Sequence, residues 1–166
     1  MTVHQSFNKI MEWEGGGRYH EVFGDAGGAT KWGVSQRTYP HLDIRNLDVE
    51  TARGIFRRDY WDKVSADVLP EAIQHAVVDF AFNSGPKRAA VKLQRAINYA
   101  LGVDNLVEDG QIGPKTVYYA GEPGGHRLLT VYRALRVEFL VGIANRDPSQ
   151  RKFLYGWLRR ANGGRP

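Results

Sequence analysis

The sequence predicts a mainly α-helical protein, with roughly six to eight helices and one small, Gly-rich, β-hairpin-like segment near the N-terminus. Three observations carry that expectation. Apolar residues recur at helical spacing through most of the 166-residue chain. Glycine and proline interrupt that spacing at intervals suited to short helices. Only residues 18–34 combine clustered glycines with aromatic side chains in the manner of an irregular hairpin.

The first helix follows from Val3, Phe7, Ile10 and Met11, which share one face; the next position on that stripe is Glu14. Gly15, Gly16 and Gly17 should end it. Residues 18–34 then hold Gly24, Gly27, Gly28 and Gly33 with Tyr19, Phe23 and Trp32, the hairpin-like segment. Asp48 suits the N-cap of a helix running to about Tyr60, with Ala52, Ile55, Phe56 and Tyr60 as its stripe. Residues 71–83 are apolar on most sides, the pattern of a central, buried helix. Ser84-Gly85-Pro86 breaks the chain, and Pro86 opens the next helix, striped by Ala90, Leu93, Ile97, Ala100 and Leu101. Residues 102–114 are a turn-rich connection, and Lys115–Ala120 a short helix. Leu128, Tyr132, Leu135, Phe139 and Ile143 mark a long amphipathic helix. Asp147-Pro148 punctuates it, and Phe153, Leu154, Trp157 and Leu158 mark a last helix before a polar tail.

Composition narrows the function classes. Hydrophobic residues make up 42% and charged residues 25%, ordinary globular values that argue against bulk disorder. The chain has no cysteine, which excludes a disulfide scaffold, a thiol nucleophile, an iron–sulfur cluster and any zinc site with Cys ligands. The five histidines are scattered and suggest no metal site, so neither metal nor cofactor is expected. No stretch is long and apolar enough for a membrane-spanning helix. Met1–Lys9 is polar and lacks the apolar core of a signal peptide, so cytoplasmic retention is expected unless another agent releases the protein. The net charge of +5 suits nucleic acid, a membrane surface or an acidic wall polymer, and equally a solvated surface with no such partner. The densest basic groups, Arg57-Arg58, Lys87-Arg88 and Arg159-Arg160, form no nucleic-acid-type run.

Two carboxylates stand out. Glu14 falls on an apolar stripe and at the negative end of a helix, and both placements disfavour its charged form. A carboxylic acid that keeps its proton is what a general acid requires. The alternative is that the helix frays earlier and leaves Glu14 solvated. Asp25, in Asp25-Ala26-Gly27-Gly28-Ala29-Thr30, supplies a second carboxylate of the kind that pairs with a general acid in glycoside hydrolysis. Its alternative role is an Asx turn organising the loop. Thr30 offers a hydroxyl for a water, or is a β-branched hairpin residue. Tyr19, Trp32, Tyr60 and Trp61 are aromatic faces able to stack on sugar rings; for Trp61 and Trp157 core packing is the expectation. Asn83 is either an amide that binds an N-acetyl group or a helix C-cap.

Those segments together resemble a known family. Glu14-Gly15-Gly16 closing a helix, Asp25-Ala26-Gly27-Gly28-Ala29-Thr30-Lys31-Trp32-Gly33-Val34-Ser35 after it, and Arg58-Asp59-Tyr60-Trp61-Asp62 are similar to glycoside hydrolase family 108. Asp79-Phe80-Ala81-Phe82-Asn83-Ser84-Gly85-Pro86 resembles that family's buried helix and its end. Asp109-Gly110-Gln111-Ile112-Gly113-Pro114-Lys115-Thr116 resembles the start of its C-terminal, peptidoglycan-binding-like part, and Lys152–Leu158 its last helix. The resemblance spans roughly residues 7–160. Two departures are visible: Gly17 stands where many members have an aromatic residue, and Ala26 where the loop often has proline.

The resemblance implies a lysozyme-like fold and N-acetylmuramidase activity on peptidoglycan, without cofactor. It implies one domain over 1–166, with a catalytic lobe at about 1–85 and a helical, peptidoglycan-binding-like lobe at about 86–160. Glu14 matches the family's catalytic glutamate, and Asp25 and Thr30 the residues that complete a Glu…Asp…Thr arrangement. Tyr19, Trp32, Tyr60 and Asn83 are the substrate-binding candidates. The implied setting is a phage endolysin, monomeric, held in the host cytoplasm until a holin gives it access to the periplasmic wall. A bacterial or prophage origin fits equally. Rival readings are a lytic transglycosylase, which would not need Asp25, a non-catalytic peptidoglycan-binding or secretion-associated module, and a nucleic-acid-binding helical domain.

Overall fold

A computed structural model describes residues 1–21 and 28–164. The described residues are mainly helical, with seven α-helices and one two-stranded antiparallel hairpin near the N-terminus. The chain forms two compact units, Thr2–Asp59 and Tyr60–Pro166 with Met1.

In the first unit, helix α1 spans Val3–Trp13. A capping box starts it: Gln5 N–H donates to Thr2 Oγ1 at 3.2 Å and Thr2 N–H to Gln5 Oε1 at 2.8 Å. Phe7, Ile10 and Met11 are buried, each contributing about 1.5–3 kcal/mol. That burial holds a helix of 11 residues, too short to persist alone in water. Strands β1 (Thr30–Lys31) and β2 (Val34–Ser35) form the hairpin, in register Thr30 to Ser35 and Lys31 to Val34. Helix α2 (Val49–Phe56) is capped as its sequence predicts, with Thr51 N–H donating to Asp48 Oδ1 at 2.9 Å. It packs on α1 through Phe7 and Phe56, edge to face at 5.4 Å. It ends at Phe56, short of the expected Tyr60, because the next residues, Arg57–Trp61, form a π-helical turn. Such i→i+5 turns are rare, and regular helical spacing does not signal them.

The second unit is a helical core. Short 3₁₀ turns at Asp62–Val64 and Ala66–Val68 lead to α3 (Glu71–Ser84). Its Ile73, Val77, Val78, Phe80 and Ala81 are fully buried, as a helix apolar on most sides predicts. Gly85 and Pro86 separate α3 from α4 (Pro86–Leu101). After α5 (Pro114–Gly121) come α6 (Gly125–Arg146), a 3₁₀ turn at Pro148–Gln150, and α7 (Arg151–Ala161). Helix α3 packs on α4 and α6, α4 on α6, and α6 on α7. Phe80 meets Tyr132 and Phe139 edge to face at 6.2 and 5.5 Å. Trp61 is buried, as expected; Trp157 is half-buried and stacks on exposed Phe153 at 6.0 Å.

Two polar arrangements hold this core. Asn98 of α4 binds both backbone groups of Leu106, donating to its carbonyl at 2.9 Å and accepting its N–H at 3.0 Å. One turn earlier, Gln94 donates to Asp109 Oδ1 at 2.7 Å and to the Gln111 carbonyl at 3.0 Å, and accepts Gly110 N–H at 2.9 Å. The two buried amides thus replace the backbone partners that the 102–113 connection lacks. Deeper in the core, Asp79 of α3 is shared by two guanidiniums. Arg136 Nη2 of α6 lies 2.5 Å from Oδ2, and Arg160 Nη2 of α7 lies 2.8 Å from Oδ1. Burial works to raise the Asp79 carboxyl, but the charges of Arg136 and then Arg160 outweigh it and hold it below the usual carboxylate range.

Candidate active site

The end of α1 presents Glu14. Its N–H donates to the Ile10 carbonyl at 3.2 Å, and it is the C-cap residue, one position past the helix. Gly15 and Gly16 follow with φ of +77° and +70°, and Gly16 N–H closes back onto the Met11 carbonyl at 2.8 Å. This is the wide bond of a Schellman ending, and it requires left-handed residues that glycine supplies without strain. The turn directs Glu14 outward, so its side chain is exposed. The partial burial read from the apolar stripe is therefore corrected. Extrapolating helical spacing to residue 14 fails because the helix stops at Trp13.

The hairpin is fastened to this ending. Its two-residue loop is Trp32-Gly33, with φ of +54° and +73°, the left-handed pair that matches strand twist. Tryptophan is a strained choice for such a position. Its indole covers Gly17: a Cβ on residue 17 would fall 2.1 Å from Trp32 Cζ2. The same indole lies 6.4 Å from the buried Phe7 ring. Gly17 thus leaves room for the Trp32 indole.

Thr30 is half-buried in β1 and has a backbone neighbour along both edges. It pairs with Ser35 in the hairpin, and on its other side exchanges backbone bonds with His20 at 2.8 and 3.0 Å. Its hydroxyl donates to the Gly28 carbonyl at 3.5 Å, a long bond. Asp25 lies outside the described residues. Tyr19 donates its hydroxyl to Glu21 Oε2 at 2.7 Å, and Arg45 lies 4.4 Å over its ring. The bond to Glu21, with burial next, raises the Tyr19 hydroxyl above its ordinary value. One face of this sugar-stacking candidate is therefore taken by Arg45.

The other two candidates belong to the second unit. Tyr60 is half-buried with its ring 5.0 Å from that of Phe82. Asn83 is exposed in the last turn of α3, and its Nδ2 donates to the Asp79 carbonyl at 2.6 Å. It is not the C-cap; that residue is Gly85, whose N–H reaches the Ala81 carbonyl at 2.8 Å. Among the described residues, no group of three His, Asp or Glu side chains is placed to hold a metal ion.

These features can be set beside known proteins. The family model of glycosyl hydrolase 108 matches residues 7–85, which hold Glu14, the hairpin and α3. Brucella abortus SagA, a solved structure, is 31% identical over 96% of this chain and 91% of its own, with a TM-score of 0.75. The chain belongs to the glycosyl hydrolase 108 family. A second model, described as a predicted peptidoglycan domain, matches residues 88–162 of this glycosyl hydrolase. No curated protein matches it. The hydrolase is thus a glycosidase whose partner is peptidoglycan. The two matched segments meet between α3 and α4, helices that pack on each other.

Sequence reasoning passed over two contributors. Gly17 registers in the sequence only as a departure from the family pattern, and the indole that fills its place lies 15 positions later. The Asp79–Arg136–Arg160 cluster had a signal: a carboxylate within the otherwise apolar run 76–82, and an arginine next to Leu135 on the stripe of another helix.

Proposed function

We propose that this glycosidase hydrolyses the β-1,4 bond between N-acetylmuramic acid and N-acetylglucosamine in peptidoglycan. Glu14 donates a proton to the glycosidic oxygen, and Asp25 and Thr30 position the attacking water or steady the positive charge that develops on the sugar. The observation that carries this reading is the pairing of an outward-facing glutamate with a fixed neighbouring hairpin. Glu14 stands at the end of a helix anchored by Phe7, Ile10 and Met11, and the Trp32 indole over Gly17 fastens the hairpin that bears Thr30 to the segment following that helix. A general acid has to be reachable by a polymer, and Glu14 is exposed. Exclusion of water is left to the seated glycan. Trp32 and Tyr19 in the first unit and, separately, Tyr60 and Asn83 in the second are the residues proposed to contact the sugar chain.

The setting proposed is that of a monomeric endolysin, acting on the periplasmic wall after a holin has opened the inner membrane. The net charge of +5 favours contact with an anionic wall.

Digestion of purified peptidoglycan, with mass spectrometry of the fragments, tests the bond and the outcome. Reducing muramic-acid ends support hydrolysis at this linkage. Anhydromuramic ends, formed without water, would replace the proposal with a lytic transglycosylase. Reducing N-acetylglucosamine ends would overturn the assignment of the bond.

A further inference from the structure

A cavity of about 140 Å³ lies in the helical unit, lined by residues of α3, α6 and α7. Its apolar walls are Phe80, Leu140, Ile143 and Trp157, and Arg136, Arg160 and Asn83 supply polar groups. Asn83 is exposed and Trp157 half-buried, so the cavity reaches solvent. At that size it admits one small residue; pockets for drug-sized ligands run to roughly 300–1,000 Å³.

Arg136 is 4% exposed, and its Nε–H has no hydrogen-bond partner among the described residues. A buried N–H on a charged group is costly to leave without an acceptor. Asp79, which binds Arg136 through Nη2, does not line the cavity. Arg136 and Arg160 both line the cavity and share the single Asp79 carboxylate, so an anion entering there would meet positive charge that is only partly compensated and already held in place by those ion pairs. Asn83 adds a second requirement. Its Nδ2 donates to the Asp79 carbonyl at 2.6 Å and, at 3.4 Å, to Asp79 Oδ1, so what it offers a ligand is its Oδ1, an acceptor for an amide N–H. The apolar walls suit a methyl group.

We propose that this cavity binds a carboxylate on a methyl-bearing carbon. Peptidoglycan presents that unit at the C-terminal alanine of its stem peptides and, where a stem peptide has been removed, at the lactyl ether of muramic acid. The Asn83 acceptor favours alanine, which brings an amide N–H. The assignment rests on peptidoglycan being the substrate, and not on Glu14 or on which bond is cut.

Calorimetry on the full chain tests it with N-acetyl-D-alanine, its carboxamide and N-acetylmuramic acid. The variant Ile143→Phe fills the cavity while keeping both arginines. N-acetyl-D-alanine is expected to bind the wild type, with the carboxamide at least about tenfold weaker and Ile143→Phe at least about tenfold weaker at an unchanged Tm. In case the variant is unstable, an NMR contact between the ligand methyl and the Trp157 indole in the wild type locates the site without any substitution. Binding by N-acetylmuramic acid alone, lost in Ile143→Phe, assigns the carboxylate to the sugar and supports the site. Equal binding of acid and carboxamide, no contact with Trp157, or no binding by either acid overturns it. Peptidoglycan cleavage measured on the same samples separates the two claims: cleavage without binding removes only this site, and binding without cleavage removes only the proposed activity.

Discussion

Gly17 lies against the face of the Trp32 indole, closely enough that a Cβ on residue 17 would fall 2.1 Å from Cζ2. That contact fastens the hairpin to the ending of α1, the two segments that carry Thr30 and Glu14. Neither atom group can yield easily. Trp32 is held in a left-handed two-residue loop and its ring reaches the Phe7 cluster.

Gly17→Ala therefore forces the indole off its seat. The expected cost is about 1–3 kcal/mol of stability, the range for overpacking, with a larger fractional loss of peptidoglycan cleavage than the stability loss alone explains. Thermal unfolding and a cleavage assay on the same preparation check it. An alanine variant with wild-type stability and activity would mean that the indole moves freely.

Asp79→Asn removes one charge from between two buried guanidiniums. Breaking such a cluster costs about 3–5 kcal/mol, because the partners stay buried without their counter-ion. The pH dependence has a definite sign. The folded carboxyl is held below its unfolded value of about 3.9. Its contribution is thus complete above that value and is lost as pH falls through the lower, folded one. The stability gap between wild type and Asp79→Asn should be flat from about pH 5 to 7 and close in stronger acid, below about pH 4. Denaturant titrations at several pH values measure the gap; one that widens in acid contradicts the pairing.

Asn98→Ala leaves the Leu106 N–H and carbonyl without their partner. A loss of about 1–3 kcal/mol is expected for each buried group left unsatisfied, and the 102–113 connection should become the first site of proteolysis. Limited proteolysis with mass mapping reads this directly. Unchanged cleavage there would show that Gln94 alone holds the connection.

How much of this was legible in the sequence depends on the range of the interactions. The helix ends at Gly15, at Gly85-Pro86 and at Asp147 were readable because capping and proline geometry are local. So was the Asp48 cap. The end of α2 was not, since the turn at Arg57–Trp61 departs from the regular helical spacing on which the expectation rested. The carboxylate at position 14 was identifiable from its misfit on an apolar stripe. Its exposure was not, because the periodic pattern continues on paper past a helix that glycines have already closed. Asp79 looked like one polar residue in the apolar run 76–82; its partners come from α6 and α7, which no local pattern connects to it. The contact between Gly17 and Trp32 was hidden for the same reason.

The central claim is that Glu14 is the proton donor of a muramidase. The most direct measurement is the initial rate of release of reducing muramic-acid ends from purified peptidoglycan by wild type, Glu14→Gln and Asp25→Asn, with Tm recorded for each. Glu14→Gln should retain the wild-type Tm, since the side chain is exposed, and lose activity by about 10²–10⁴-fold, the usual contribution of general acid–base catalysis. Asp25→Asn should also be greatly reduced. A folded Glu14→Gln that releases those ends at the wild-type rate would contradict the account.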